Sequence, residues 1–172
     1  MVSVAMIWLW LYEPRIGYLN YLLSLFKIPP KQWLLDPGLA LPSIAIMSVW
    51  KGLGFHTVIF SAGIKGVPKE FYEVARIDGA NNWQIFRHIT LPLLSPVIAF
   101  VIITSTIGSL QAFTQMNVMT KGGPVGSTKT IVYLIYENGF QFYQISYASA
   151  ISVMLFIFIM LLTVLQLRVF RD

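Results

Sequence analysis

Three apolar stretches of roughly the same length, at about 41–63, 93–113 and 146–167, constrain this chain more than any other feature. A helix rises 1.5 Å per residue, so about 20 apolar residues cover the roughly 30 Å of a bilayer's hydrocarbon core. Each stretch meets that length. The expected fold class is therefore an all-α membrane protein with three full transmembrane helices. Residues 1–11 are apolar but too short to cross, and have neither a basic lead-in nor a small-residue cleavage site. They read as the end of a span that began upstream, or as an interfacial helix anchored by Trp8 and Trp10.

Composition agrees. Charged residues make up 11% of the 172 residues, against about 25% in soluble domains, so much of the surface must face lipid or another subunit. Cysteine is absent, which excludes disulfides and thiolate metal sites. The net charge of +5 comes from scattered basic residues rather than a run, so a nucleic-acid partner is not expected. Lys65, Lys69, Arg76, Arg87, Arg168 and Arg171 fall in segment 64–92 and the tail 168–172; Arg15, Lys27, Lys31, Lys121 and Lys129 fall in 12–40 and 114–145. The first set lies in the shorter segments near span ends, which favours a cytoplasmic 64–92 and C-terminus, with 12–40 and 114–145 external.

Segment 64–92 is polar where its surroundings are not. Pro68 suits the first turn of a helix, with Glu70 near the positive end of its dipole. Phe71 and Ala75 share a face at helical spacing. Gly79 stops that helix, because glycine enters the left-handed cap without a Cβ penalty. Asn81 can then cap a second helix, with Gln84 three residues on as its box partner. Trp83, Ile85, Phe86 and Ile89 supply the second helix's apolar side, and Pro92 opens the next span. Two short helices about a glycine corner make a rigid knob; an ordinary loop on the membrane surface is the plainer reading of the same residues.

The ordered blocks resolve that choice. Glu73-Val74-Ala75, then Gly79, then Ile89-Thr90-Leu91-Pro92 resemble the "EAA" signature of bacterial ABC-importer permeases. Arg76-Ile77-Asp78-Gly79-Ala80, Trp50-Lys51-Gly52-Leu53-Gly54-Phe55, Gly122-Gly123-Pro124 and Tyr147-Ala148-Ser149-Ala150 are similar to the carbohydrate-uptake branch, of maltose and glycerol-phosphate type. The likeness runs from about residue 17 onward. It implies a permease subunit that pairs with a second permease and rests on an ABC ATPase dimer. It also implies sugar delivery by an extracellular or periplasmic binding protein. No catalysis and no cofactor are implied for this chain, since ATP and Mg would sit in the ATPase. Glu73, Val74, Ala75, Asp78, Gly79, Ile89, Leu91 and Pro92 would couple to that ATPase. Valine stands at position 74 where alanine is usual, adding bulk while remaining apolar.

Family positions on the first two spans can line a central path: Ser48, Lys51, Gly52 and Phe55, then Ser105, Ser109, Gln111 and Ala112. Lys51 is the sharpest of these, because an ammonium in mid-membrane needs water or a partner. It would touch sugar hydroxyls or an anionic sugar, or else snorkel or pair with the second permease. Ser105 and Ser109 also suit plain helix packing. The family core holds more helices than this chain, which implies an N-terminally truncated permease.

Other chemistry finds little support. His56 has no acid or cysteine near it in sequence, His88 suits a docking or solvated contact, and Asp36 and Glu137 form no catalytic pair. Residues 123–130 come within one residue of a phosphate-loop signature. Thr128 stands where glycine is required and no strand precedes it. A turn leading into a scooping helix to about Phe142 fits better. The resemblance implies glycine at positions 121 and 146, where Lys121 and Ser146 stand. A membrane enzyme would need a catalytic pair or metal ligands within the spans. A structural or regulatory membrane protein, or a permease fragment without transport activity, remains the other reading.

Overall fold

The computed structural model describes residues 1–171, and the regular elements among them are all helices. The helices are α1 (Val2–Leu11), α2 (Tyr18–Leu25), α3 (Pro37–Lys65), α4 (Lys69–Ile77), α5 (Asn82–Leu93), α6 (Ser95–Leu110), α7 (Thr114–Met119), α8 (Ile131–Tyr136) and α9 (Ile145–Arg171). The fold class is the all-α one read from the sequence. Helices α3 and α9 are each long and apolar enough to cross a membrane, and α5 with α6, bent by 64°, would make a third crossing as a broken span.

The chain divides into two compact units. The first comprises residues 1–52 and 108–159. Its core joins Ala5, Trp8 and Tyr12 of the N-terminal segment to Ile44 and Met47 of α3 and to Met116 and Met119 of α7. Trp8 is therefore a core residue and only Trp10 stays exposed, so the pair does not act together as an interfacial anchor. The Tyr12 hydroxyl donates to the Ser43 carbonyl at 2.7 Å, and burial pushes the phenol up to about 12.

Segment 12–40 is closed by Asn20. Its Nδ2 donates to the Pro14 and Lys31 carbonyls, both at 2.9 Å, and its Oδ1 accepts the Lys31 N–H at 3.0 Å and the Trp33 indole N–H at 2.9 Å. All four hydrogen-bonding positions of a buried amide are satisfied, which is what makes its burial affordable.

The second unit comprises residues 53–107 and the chain from 160 onward. Three helices meet through polar side chains. His56 Nε2 of α3 lies 3.2 Å from Ser105 Oγ of α6. On the next residue of α6, Thr106 Oγ1 accepts from Gln166 Nε2 of α9 at 3.0 Å. Such bonds hold helices together where apolar contact alone gives little directionality.

Within α5 the backbone widens to π-helical spacing over Phe86–Thr90, with the Leu91 N–H reaching back to the Phe86 carbonyl. The cause lies in Pro92, which has no N–H to give the preceding turn. A second proline, Pro96, repeats the deficit at the start of α6. The chain corners between them at Leu94. Pro92 thus sits in the last turn of α5 instead of opening the next helix, a correction to the sequence expectation.

Candidate functional site

The polar segment after α3 builds a small solid corner. Helix α4 starts after Pro68, with Glu70 in its first turn and Arg76 in its last, each favourable to the helix dipole. It ends in a Schellman motif: the Gly79 N–H bonds the Arg76 carbonyl at 3.1 Å and the Ala80 N–H bonds the Ala75 carbonyl at 2.9 Å. Gly79 takes φ +80°, the left-handed region that glycine enters freely.

Helix α5 begins three residues later, behind the N-cap Asn81, with a complete capping box. The Gln84 N–H donates to Asn81 Oδ1 at 2.9 Å and the Asn81 N–H donates to Gln84 Oε1 at 2.8 Å. Both ends facing the corner are therefore closed by their own residues.

Between α4 and the π-turn of α5 lies a groove of about 390 Å³, lined by Glu70, Phe71, Val74, Ala75, Asp78 and Ile89. Its floor is apolar, and the two carboxylates flank it. Of the coupling residues expected from the sequence, Val74, Ala75, Asp78 and Ile89 line this groove. Glu73, Leu91 and Pro92 are exposed outside it, and Gly79 shapes the corner. Glu70 and Phe71 belong to the groove and were not in the expected set. Their signal was available: 70, 71, 74, 75 and 78 fall on one helical face.

The second helix buries a narrower side than expected. Ile85 is 7% exposed and Ile89 half-buried, but Trp83 is 66% and Phe86 46% exposed, their rings stacked with centroids 5.7 Å apart. Ile85, Ile89 and the buried Thr90 face inward, and Trp83 and Phe86 do not pack inside as the sequence suggested.

The expected path residues have varied placements. In the first unit, the Ser48 hydroxyl is bonded to the Ile44 carbonyl of its own helix at 2.9 Å. Gly52 is half-buried and Ser109 exposed. Gln111 lines an apolar pocket of about 460 Å³ with Val132, Ile135, Ser152, Leu155, Phe156 and Ile159. Ala112 is only 9% exposed, lies in the core, and gives its carbonyl to Thr130 Oγ1 at 2.7 Å. It faces packing, not a path. In the second unit, Phe55 is exposed and Ser105 is engaged with His56.

Lys51 stands at the midpoint of α3 and is exposed. It lies about 21 Å from either helix end at 1.5 Å per residue, several times the reach of its stem. Helices α3, α6 and α9 contain no aspartate or glutamate.

The phosphate-loop look-alike is a closed turn. Thr128 is buried, and its hydroxyl bonds the Gly123 carbonyl at 2.8 Å and Thr120 Oγ1 at 2.7 Å. Lys129, which would have served a phosphate, pairs with Glu137 at 2.6 Å. Among the described residues, no group of three or more histidine, aspartate or glutamate side chains is placed to hold a metal.

Residues 1–171 match the family model described as binding-protein-dependent transport system inner membrane component. The chain belongs to this family. It is 37% identical to the trehalose/maltose transport system permease protein MalF of Thermococcus litoralis, over 97% of this chain and 56% of that protein. It is 34% identical to the sulfoquinovosyl glycerol transport system permease protein SmoG of Agrobacterium fabrum, over 97% and 54%. The fold is similar to a bacterial alginate ABC transporter solved in complex with an alginate pentasaccharide-bound periplasmic protein. That match has a TM-score of 0.86 at 25% identity and covers 96% of this chain and 58% of that one. The chain spans a little over half the length of the curated relatives it matches. The membrane-component class agrees with the apolar lengths of α3 and α9, and the family is one of transport components, not enzymes.

Proposed function

We propose that this chain is a permease subunit of an ATP-driven, binding-protein-dependent sugar importer, forming half of the translocation path. A second permease supplies the other half. A dimer of ABC ATPases holds ATP and Mg on the cytoplasmic side, and an extracellular or periplasmic binding protein delivers the sugar. Segment 64–92 and the C-terminus face the cytoplasm in this reading.

The observation that carries it is the groove between α4 and α5. Rigid-body coupling needs a solid lever, and this corner has closed helix ends on both sides of Gly79. Its apolar floor offers burial to a docking protein, while Glu70 and Asp78 offer hydrogen-bond acceptors for a basic or amide group. Glu73, exposed on the neighbouring face, extends that acidic surface. When the ATPase dimer closes, the corner is displaced as a body, and the bend at Leu94 passes the motion into α6.

Ser48, Lys51, Gly52 and Phe55 on α3, with Ser105, Ser109 and Gln111, are assigned to the path. The Lys51 ammonium, unable to reach either helix end, belongs in a water-filled space where it can meet sugar hydroxyls or an acidic sugar. Relatives named for trehalose/maltose and for sulfoquinovosyl glycerol support a sugar or sugar-derivative cargo.

The test is binding-protein-dependent uptake with the complete set of subunits, over a panel of neutral disaccharides and acidic sugars. Uptake of at least one sugar that requires ATP and this chain supports the reading. Persistence of ATPase co-purification after Glu73→Lys combined with Gly79→Pro overturns the docking assignment.

A further inference from the structure

The outer face of α5 is left over from the coupling assignment. The groove beside α4 uses Ile89, and Ile85, one turn before it, is buried. Trp83, Phe86 and Arg87 lie three and four residues apart on a different side, exposed, with the indole and phenyl rings stacked. Among the described residues, Arg87 has no carboxylate within ion-pair distance.

The bend sets how α5 lies. Helix α5 is bent by 64° from α6. If α6 crosses the bilayer near its normal, α5 runs much closer to the membrane plane than to the normal. Such a helix with exposed tryptophan and phenylalanine beside an arginine has the chemistry of an interfacial element: rings at the headgroup level, guanidinium on phosphate.

We infer that the Trp83–Phe86–Arg87 face of α5 is a docking surface for anionic phospholipid, which holds the coupling corner at the membrane surface while the opposite groove stays open to a protein. Charge divides the same way. Glu70 and Asp78 flank the groove, and the outer face carries Arg87. The inference rests on the reading that α6 crosses the membrane, but not on the cargo or on which protein occupies the groove.

The chain contains no cysteine, so single labels are clean. Trp83→Cys and, separately, Val74→Cys are labelled with an environment-sensitive fluorophore in the full complex with cysteine-free partner subunits. The complex is placed in vesicles of phosphatidylcholine with or without phosphatidylglycerol, carrying lipids with a shallow nitroxide quencher. The label at position 83 is expected to be quenched by lipid, more strongly with phosphatidylglycerol, and to be indifferent to removal of the ATPase. Arg87→Gln is expected to abolish the phosphatidylglycerol difference. The label at position 74 is expected to escape lipid quenching and to respond to ATPase removal. A label at 83 that lipid does not quench, or that only the ATPase shields, overturns the inference, as does equal quenching in both vesicle types. Loss of the chain from membranes on alkaline carbonate washing would instead sink the membrane-spanning reading, before any label is read.

Discussion

Asn81 and Gln84 satisfy each other across the first turn of α5, side chain to backbone in both directions, at 2.8 and 2.9 Å. This reciprocal pair fixes where α5 starts, three residues after the left-handed Gly79, and so fixes the angle of the corner. Asn81→Ala removes the acceptor for the Gln84 N–H and should destabilise the local helix by about 1 kcal/mol. The whole subunit should survive that cost. A lever that frays at its corner should couple poorly, so binding-protein-stimulated ATP hydrolysis in the reconstituted complex is expected to fall while basal hydrolysis holds. Asn81→Asp, which keeps an oxygen at the cap, should retain most of the stimulation.

Gly79 tests the other side of the same corner. A Cβ there would meet nothing within 4 Å, so crowding does not enter. The cost is backbone alone: φ +80° for an alanine is about 1–2 kcal/mol unfavourable. Gly79→Ala should lower the yield of ATPase co-purified with the permease, and Gly79→Asn should do so less, since asparagine tolerates the left-handed region better. Equal losses for the two variants would show that the corner matters through something other than its backbone angle.

Those two devices were written in the sequence because each is local. The Asn-x-x-Gln spacing and a lone glycine after a helical run need no tertiary information. The apolar lengths of α3 and α9 were legible for the same reason. What escaped was set by distant partners. Trp83 and Phe86 look like core by residue type, yet α5 has only one narrow side to bury, taken by Ile85, Ile89 and Thr90. The 64° bend falls between Pro92 and Pro96, and each of these prolines alone reads as an ordinary helix start. Asn20 shows no pattern at all; its partners lie at Pro14, Lys31 and Trp33, brought to it only by folding. In the candidate path, Ala112 shared helical spacing with Ser105 and Ser109, but packing in the first unit turned it inward.

Lys121 is the position where the resemblance implies glycine, and its backbone takes φ +49°. The left-handed region costs a lysine about 1 kcal/mol. Its carbonyl accepts the Tyr133 hydroxyl at 2.8 Å, a bond that any residue at 121 keeps. Lys121→Gly should therefore raise the thermal midpoint of the purified subunit, or leave it level once the looser unfolded chain is counted. Its neighbour predicts the opposite. Gly122 is also left-handed, at φ +80°, and a Cβ there would lie 2.9 Å from Tyr133 Cε1 and 3.0 Å from Lys129 Cγ. Gly122→Ala should lower the midpoint clearly, and a thermal scan of both variants in the same detergent checks the pair.

Tyr12 gives a pH dependence with a definite sign. Burial raises its phenol from 10.0 to about 12 in the folded chain. Below pH 10 the group is neutral in both states and its contribution to stability is fully present. As pH climbs from 10 towards 12 the unfolded chain ionises first and binds fewer protons than the folded one, which lowers its free energy, so stability falls across that window. Tyr133 is shifted the same way, mainly by burial, and adds to the fall. Tyr12→Phe should flatten the slope while costing about 1 kcal/mol at neutral pH, because the Ser43 carbonyl loses its 2.7 Å donor. Thermal midpoints of both proteins across that pH range test this: the two curves should converge as pH rises, and parallel curves would show that the buried hydroxyl is not what the alkaline side attacks.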